Sequence, residues 1–438
     1  MVSRAVDFVV GCVCLCFLVH ATSGALFPGN LRSKGCGPLA VKADDILVPP
    51  GFCAFTVSSG LRNPRGMKVI ERDGGAELLV VERQRARVRS MGLAPTSYEP
   101  SWKEVLASNN GLNHGIEAHV APDGTRYLYA SSTNTVYRFE WDEQGSGSNF
   151  NMNNVGPPTV VVRGLPSGGH YTRTLRFDAE GKLLVSVGSK GNVDSNSARS
   201  RLMRYSVYGV ELPLLWSDGE VFADGLRNEV GLAVDGMGRV WGVENGVDNA
   251  FRSDLGGDIH TDNPGEELNL FAEPGKFYGY PYCWSEFLLN RRVARGPGTQ
   301  WTQKEFLDSG RVTDEWCQNP ANVVPPVHVS PAHMAPLGIA FFSGSGFPVP
   351  ADGSSVAFVS FHGSWNRTPR QGYRVDAFDF TQFNRNGGPV ESEVFMESSN
   401  PSTRPVDVVF GPCPLGTCLF VSDDGVGRVI GIGYSGSD

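Results

Sequence analysis

Residues 168–189 read GGHYTRTLRFDAEGKLLVSVGS. A polar loop leads into a short apolar strand. A turn rich in Asp and Gly follows, then a second apolar strand. Asp supplies local side-chain acceptors and Gly tolerates positive φ, so DAEG reads as a tight turn between two strands. The same turn-and-strand unit recurs as RDGGAELLVVER (72–83), PDGTRYLYASS (122–132), DGMGRVWGVENG (235–246), PADGSSVAFVSFHGS (350–364) and PLGTCLFVSDDG (414–425). Each is preceded by a loop and strand of the GGHYTRTLRF kind: GLRNPRGMKVI (60–70), GLNHGIEAHVA (111–121), GLRNEVGLAV (225–234), PAHMAPLGIAFF (331–342) and PSTRPVDVVFG (401–411).

Six such units predict an all-β chain, a six-bladed β-propeller with four strands per blade. The interval between Trp241 and Ala357 is about twice the others and holds Cys283 and Cys317. It reads as one blade plus a disulfide-stapled insertion. Composition agrees: 54 Gly and 29 Pro with 19% charged residues suit a turn-rich β protein. The net charge of -8 argues against a nucleic-acid partner.

The chain starts with Arg4 and an apolar run from Phe8 to Val19, then the small residues ATSGA (21–25). This predicts a secretory signal peptide over 1–24 and a secreted propeller domain over 25–438. No second apolar stretch predicts a membrane span, and the GYSGSD end carries no lipid-anchor tail. Six cysteines follow the signal, and an oxidising compartment favours disulfides. Proximity suggests 36–53, 283–317 and 413–418, although six cysteines allow fifteen pairings.

The inner strand of each propeller blade lines a central channel. The loops before these strands should therefore meet at one mouth. Their polar residues are Arg62, Asn63, Asn113, His114, His170, Arg227, Asn228, His333 and Arg404. This mostly basic ring suits an anionic, planar or oxygen-rich ligand. FHGSWNR (361–367) adds a Trp beside His and Arg, a set suited to stacking on a flat anion. Asn366 opens the only N-x-S/T sequon in the chain, which should be unused if Asn366 lines a pocket. The acidic stretch 245–271 could offer oxygen ligands to calcium or be a solvated loop, and SDDGVG (422–427) reads as a plain turn. No GxGxxG follows a strand, and P-loop, HExxH zinc and serine-elbow motifs are absent from the sequence.

Taken together, LRNPRGM, VVER, GGHYTRTLRF, GLRNEVGLAVD, VENG followed by GEELNL, FYGYP, FHGSWNR and RPVDVV resemble the soluble quinoprotein sugar dehydrogenases. These form the glucose/sorbosone dehydrogenase superfamily, and the likeness is greatest to the fungal pyrroloquinoline-quinone-dependent pyranose dehydrogenases. It runs from about Cys36 to the C-terminus. The resemblance implies a general base at His170 and an arginine at the reactive quinone carbonyl, Arg227. It implies cofactor contacts from Asn228, Arg404, His362, Trp365 and Arg367, with Arg62 and Arg83 as additions. It implies calcium held by the carbonyls of Gly246 and Val247, a sugar substrate, and an external electron acceptor such as a secreted cytochrome or copper oxygenase. Bacterial relatives carry Asp just before the base, where this chain has Gly169, so another group must orient the imidazole. The competing expectations are a calcium-dependent propeller lactonase and a non-catalytic extracellular binding propeller.

Overall fold

The computed structural model describes residues 25–37, 41–72, 75–93, 103–107, 111–141, 156–196 and 198–436. The predicted signal peptide lies outside these residues. Six sheets, each with four antiparallel strands, follow one another around an axis; in blades 2 and 3 a two-residue strand adds in parallel at the outer edge. Blade 1 comprises Pro64–Arg72, Gly75–Glu82, Arg87–Leu93 and Lys103–Ala107. Blade 2 comprises Ile116–Val120, Arg126–Ser131, Thr135–Glu140 and Thr159–Arg163. Blade 3 comprises Leu175–Phe177, Leu183–Val187, Arg201–Tyr205 and Glu220–Asp224. Blade 4 comprises Glu229–Val234, Val240–Glu244, Glu266–Phe271 and His328–Ser330. Blade 5 comprises Pro336–Phe341, Val356–Phe361, Arg374–Asp379 and Glu391–Ser398. Blade 6 takes Pro405–Cys413, Gly416–Asp423 and Arg428–Tyr434 from the C-terminal part of the chain and its outer strand, Phe52–Ser58, from the N-terminal part. The ring is thus closed by main-chain hydrogen bonds between distant segments.

The turns work as the sequence suggests. Asp178 Oδ1 accepts from the amides of Glu180 and Lys182, each at 2.9 Å, and Gly181 takes φ +72°. Asp235 does the same for Met237 and Arg239, with Gly238 at φ +80°. Its second oxygen accepts from Trp241 Nε1 at 2.9 Å and so ties the turn to the buried strand behind it. Apolar side chains interlock between neighbouring blades. Phe27, Phe52, Phe358 and Phe395 join blades 5 and 6 in one buried cluster.

All three suggested disulfides form: Cys36–Cys53, Cys283–Cys317 and Cys413–Cys418. Two lie at the closing blade. The third staples the insertion of blade 4, which carries a hairpin (Cys283–Ser285 with Gln300–Thr302) and short helices Lys304–Asp308 and Asp314–Cys317. Among the described residues no helix is long and apolar enough to cross a membrane.

The inner strands approach closely. A Cβ on Gly66 would sit 2.1 Å from the His114 carbonyl oxygen, so only glycine fits there. Below the mouth the channel is filled. Glu117 is buried between Lys68 and Arg176, and Asp407 Oδ2 accepts from the Met67 amide at 2.7 Å. A cavity of about 20 Å³ remains beside them, room for about one water.

Candidate functional site

One end of the channel collects two kinds of loop: those entering the inner strands and those leaving the second strands. The first bring His114, His170, Arg227, His333 and Arg404. The second bring Arg83, Ser189, Gly246, His362 and Asp424.

One half of the mouth is a basic cluster. Asp424 sits between Arg65 Nη1 (2.9 Å) and His362 Nε2 (2.8 Å). Burial would raise the Asp424 carboxyl, but the His362 hydrogen bond and the Arg65 charge overcome it and bring it to about 2. Arg404 Nη2 lies 2.8 Å from His362 Nδ1 and donates to Gly363 O at 3.1 Å. His362 therefore donates from Nε2 to Asp424 and accepts from Arg404 at Nδ1. Burial lowers its pKa despite the carboxylate, so the ring is neutral. Arg83 stacks over the Tyr171 ring at 4.7 Å. His114 is buried, and burial with the charges of Arg65 and Arg83 drives its pKa well below the ordinary value. Its Nδ1 has no hydrogen-bond partner. Three guanidinium groups thus face one carboxylate, leaving two unmatched positive charges beside an orphaned buried nitrogen. That arrangement fits a planar anion with several acceptor oxygens.

The other half holds His170 and Arg227. His170 Nδ1 lies 2.9 Å from Ser189 Oγ and 3.1 Å from Ser189 O. The Ser189 hydroxyl donates to Gly191 O at 2.7 Å. Its proton is therefore committed, and Nδ1–H of the imidazole is the donor. Nε2 is left as a free acceptor. Burial first, then the Arg227 charge, lowers His170 to about 4. Arg227 is buried and donates to Asp248 Oδ2 (2.9 Å), Asn192 Oδ1 (3.1 Å) and Asn192 O (3.2 Å), while its amide donates to Glu244. Asn228 lies against the same corner: a Cβ on Gly188 would be 2.7 Å from both Asn228 Oδ1 and His170 Cβ.

Other expected residues fall elsewhere. Arg62 is exposed at the rim and held by its main chain, its amide donating to Glu82 at 2.7 Å and its carbonyl accepting from the Gln84 amide at 3.4 Å. Arg65, three residues later, is the buried guanidinium of the cluster. Trp365 is 70% exposed, a free aromatic face above the mouth. Arg367 turns from the cluster to Asp262 (3.1 Å), Ala332 O and Pro369 O, and so braces its own loop. SDDGVG is a turn, as expected, yet its Asp424 organises the basic cluster. The sequence pattern singled out neither Asp424 nor Ser189. The signal was available: both leave the second strand of a repeat unit at the position where VENG and FHGS sit in theirs.

Among the described residues, no three His, Cys, Asp or Glu side chains come together to hold a metal ion. The acidic stretch is dispersed into pairs: Asp248 with Arg227, Asp254 with Arg252, Asp258 with His260 and Asp262 with Arg367. The carbonyl oxygens of Gly246 and Val247 receive no hydrogen bond from the described residues. Two such oxygens fit part of the shell of a hard cation, which takes six to eight.

The TrAA12-like family model matches residues 46–432. A pyrroloquinoline quinone-dependent pyranose dehydrogenase of Coprinopsis cinerea is 33% identical over 353 residues, 75% of this chain and 44% of that protein. The chain thus spans less than half the length of that relative. A pyrroloquinoline quinone-dependent sugar dehydrogenase of Hypocrea jecorina is 32% identical over 330 residues, 70% of this chain and 71% of that one. The holo pyranose dehydrogenase quinone domain from Coprinopsis cinerea superposes with a TM-score of 0.75 at 28% identity, covering 91% of this chain and 99% of that chain. The calcium structure of a Trichoderma reesei enzyme of Carbohydrate-Active Enzymes Family AA12 gives 0.75 at 29%, covering 92% and 100%. On this evidence the chain belongs to the TrAA12-like family.

Proposed function

We propose that this protein is a secreted pyrroloquinoline-quinone-dependent dehydrogenase that oxidises the anomeric hydroxyl of a pyranose or ketoaldose sugar. The observation that carries the reading is one mouth holding both a surplus of arginine charge and a neutral histidine with Nε2 free. Relatives named for this cofactor and for sugars support it.

Arg65, Arg83 and Arg404 would hold the carboxylates of the quinone, with His114 Nδ1 and His362 at its edge. Gly246 and Val247 would give carbonyl ligands to Ca2+. When bound, the quinone supplies a two-electron acceptor for the C1 hydride and the cation a Lewis acid on its carbonyl. His170 takes the hydroxyl proton at Nε2 as the sugar C1 is oxidised to the lactone. Arg227 holds positive charge where oxyanion character develops, pre-set by Asp248 and Asn192. Trp365 offers an apolar face to the rings of the quinone or the sugar. An external acceptor, a secreted cytochrome or copper oxygenase in the related systems, would then receive the electrons.

Titration of the protein with quinone and Ca2+, followed by dye reduction with a panel of aldoses and ketoaldoses, tests the reading. Failure to bind the quinone overturns it. Binding without turnover of any sugar favours the binding-propeller reading.

A further inference from the structure

We propose that the five-residue segment Gly188–Asn192 is the element that fixes the base and the arginine relative to one another, with Ser189 and Asn192 as positioning residues. The inference rests on His170 being the base.

Ser189 is bonded to both partners. Its Oγ and its carbonyl both accept from His170 Nδ1–H, the carbonyl also accepts from the His170 amide at 3.1 Å, and its own amide donates to Arg227 O at 2.7 Å. Three residues on, Asn192 takes the Arg227 guanidinium on both its oxygens. It also clamps Asp248: Oδ1 accepts from the Asp248 amide at 2.6 Å and Nδ2 donates to Asp248 O at 2.7 Å. Tyr280 of the stapled insertion donates to Asn192 O at 3.1 Å and buttresses the segment from behind.

The surroundings leave no room for an alternative orienter. Gly169 donates to Lys190 O at 2.8 Å, and a Cβ at 169 would lie 2.3 Å from that oxygen. An Asp before the base, as in bacterial relatives, therefore cannot be seated without moving the segment. Gly188 passes between Asn228 and His170 where a Cβ would meet both. The charged groups facing His170 are Arg227 and Arg173, both cationic. Among the described residues no carboxylate is hydrogen-bonded to it. The nearby Asp194 is engaged by Arg199 and the Lys190 amide, and Asp248 by Arg227. The hydroxyl and carbonyl of Ser189 together fix the tautomer, and burial with the Arg227 charge outweighs the support the carbonyl gives the imidazolium. The base consequently stays unprotonated, and competent, well into the acid range.

The test uses the whole chain with 15N-labelled histidine, the His170 resonances being identified with His170→Asn. In the wild type His170 is the Nδ1–H tautomer and protonates only in the acid range. Ser189→Ala leaves the Ser189 carbonyl as the one acceptor of Nδ1–H, so the tautomer stays while the ring loses its second tether; turnover falls about tenfold to a hundredfold with quinone affinity retained. Ser189→Thr, which keeps the hydroxyl, restores turnover. Ser189→Asp raises the His170 pKa by about one unit or more and moves the acid limb of the rate upward with it. Asn192→Ala leaves the tautomer in place but lowers turnover through Arg227. Unaltered turnover in Ser189→Ala, or an unmoved pKa in Ser189→Asp, overturns the inference. These spectra are read without quinone, so failure of the cofactor to bind would count against the functional reading and leave this result separate.

Discussion

Asn366 Nδ2 donates to Asp248 Oδ1 at 3.0 Å, joining the loop after the second strand of blade 5 to the loop that carries the candidate calcium carbonyls. The same carboxylate holds Arg227 through its other oxygen. The amide nitrogen that a glycan would need is already committed inside the mouth. The sequon is therefore expected to be unmodified: mass spectrometry of the protein produced in a glycosylating host should find the Asn366 peptide bare. Asn366→Asp would set two carboxylates together and should weaken quinone binding. A glycan on Asn366 in active protein would contradict this placement.

Among the described residues Arg404 has no carboxylate partner; its guanidinium donates to neutral His362 and to a carbonyl. Arg404→Ala should lower quinone affinity by about tenfold to a hundredfold, as for the loss of a charge-assisted hydrogen bond of ~1.5–3 kcal/mol. Stability should change little. Arg65→Ala should behave differently, because it strips buried Asp424 of its arginine. It should cost about 3 kcal/mol of stability as well as affinity. Calorimetric binding and thermal melts on the two variants separate these outcomes.

The channel carboxyl of Asp407 is raised by burial to about 6. Its folded pKa lies above that of the unfolded chain. Its contribution is thus full below about pH 4 and is lost as pH rises through about 6, a change of roughly 3 kcal/mol. Buried Glu229, Glu244 and Glu267 are also raised by burial, Glu229 and Glu244 further by repulsion from neighbouring carboxylates, and act in the same direction. The buried histidines, lowered by burial, act in the opposite direction over the same range, so the Asp407 contribution is read as a difference between proteins. Relative to the wild type, Asp407→Asn should gain stability as pH rises from about 4 to about 6; an unchanged difference across that range would remove Asp407 from the effect.

The Cys283–Cys317 disulfide closes a sequence separation of 34 residues around the insertion that supplies Tyr280. Replacing both cysteines by Ser should cost about 2–4 kcal/mol. Turnover should fall more than quinone binding, since Tyr280 buttresses Asn192 rather than the basic cluster. Unaltered turnover at a temperature where the variant is folded would show the insertion to be dispensable to the site.

The six-fold plan was legible because each unit carries its own turn chemistry, Asp accepting from local amides and Gly at positive φ, beside a buried strand. The place of His170 and Arg227 at the mouth was legible for the same reason, since both stand at a fixed position in the repeat; the roles proposed for them came from the family resemblance. Closure of the ring was not, because Phe52–Ser58 is one more apolar strand until its partner, Arg428–Tyr434, is known. Arg65 was hidden inside an inner strand three residues beyond the exposed Arg62. Ser189 and Asp424 looked like ordinary turn residues. Their roles depend on partners 19 and 62 residues away, His170 and His362, and spacing in the sequence does not encode those contacts.

The central claim is that His170 acts as the proton acceptor beside a quinone held by the basic cluster. Its most direct test is a paired titration of wild type and His170→Ala with pyrroloquinoline quinone and Ca2+, followed by single-turnover reduction with an aldose. The account predicts saturable binding of one quinone per chain in both proteins and a rate in the variant about 10²–10⁴-fold lower. Equal rates in the two, or no binding in the wild type, would contradict it.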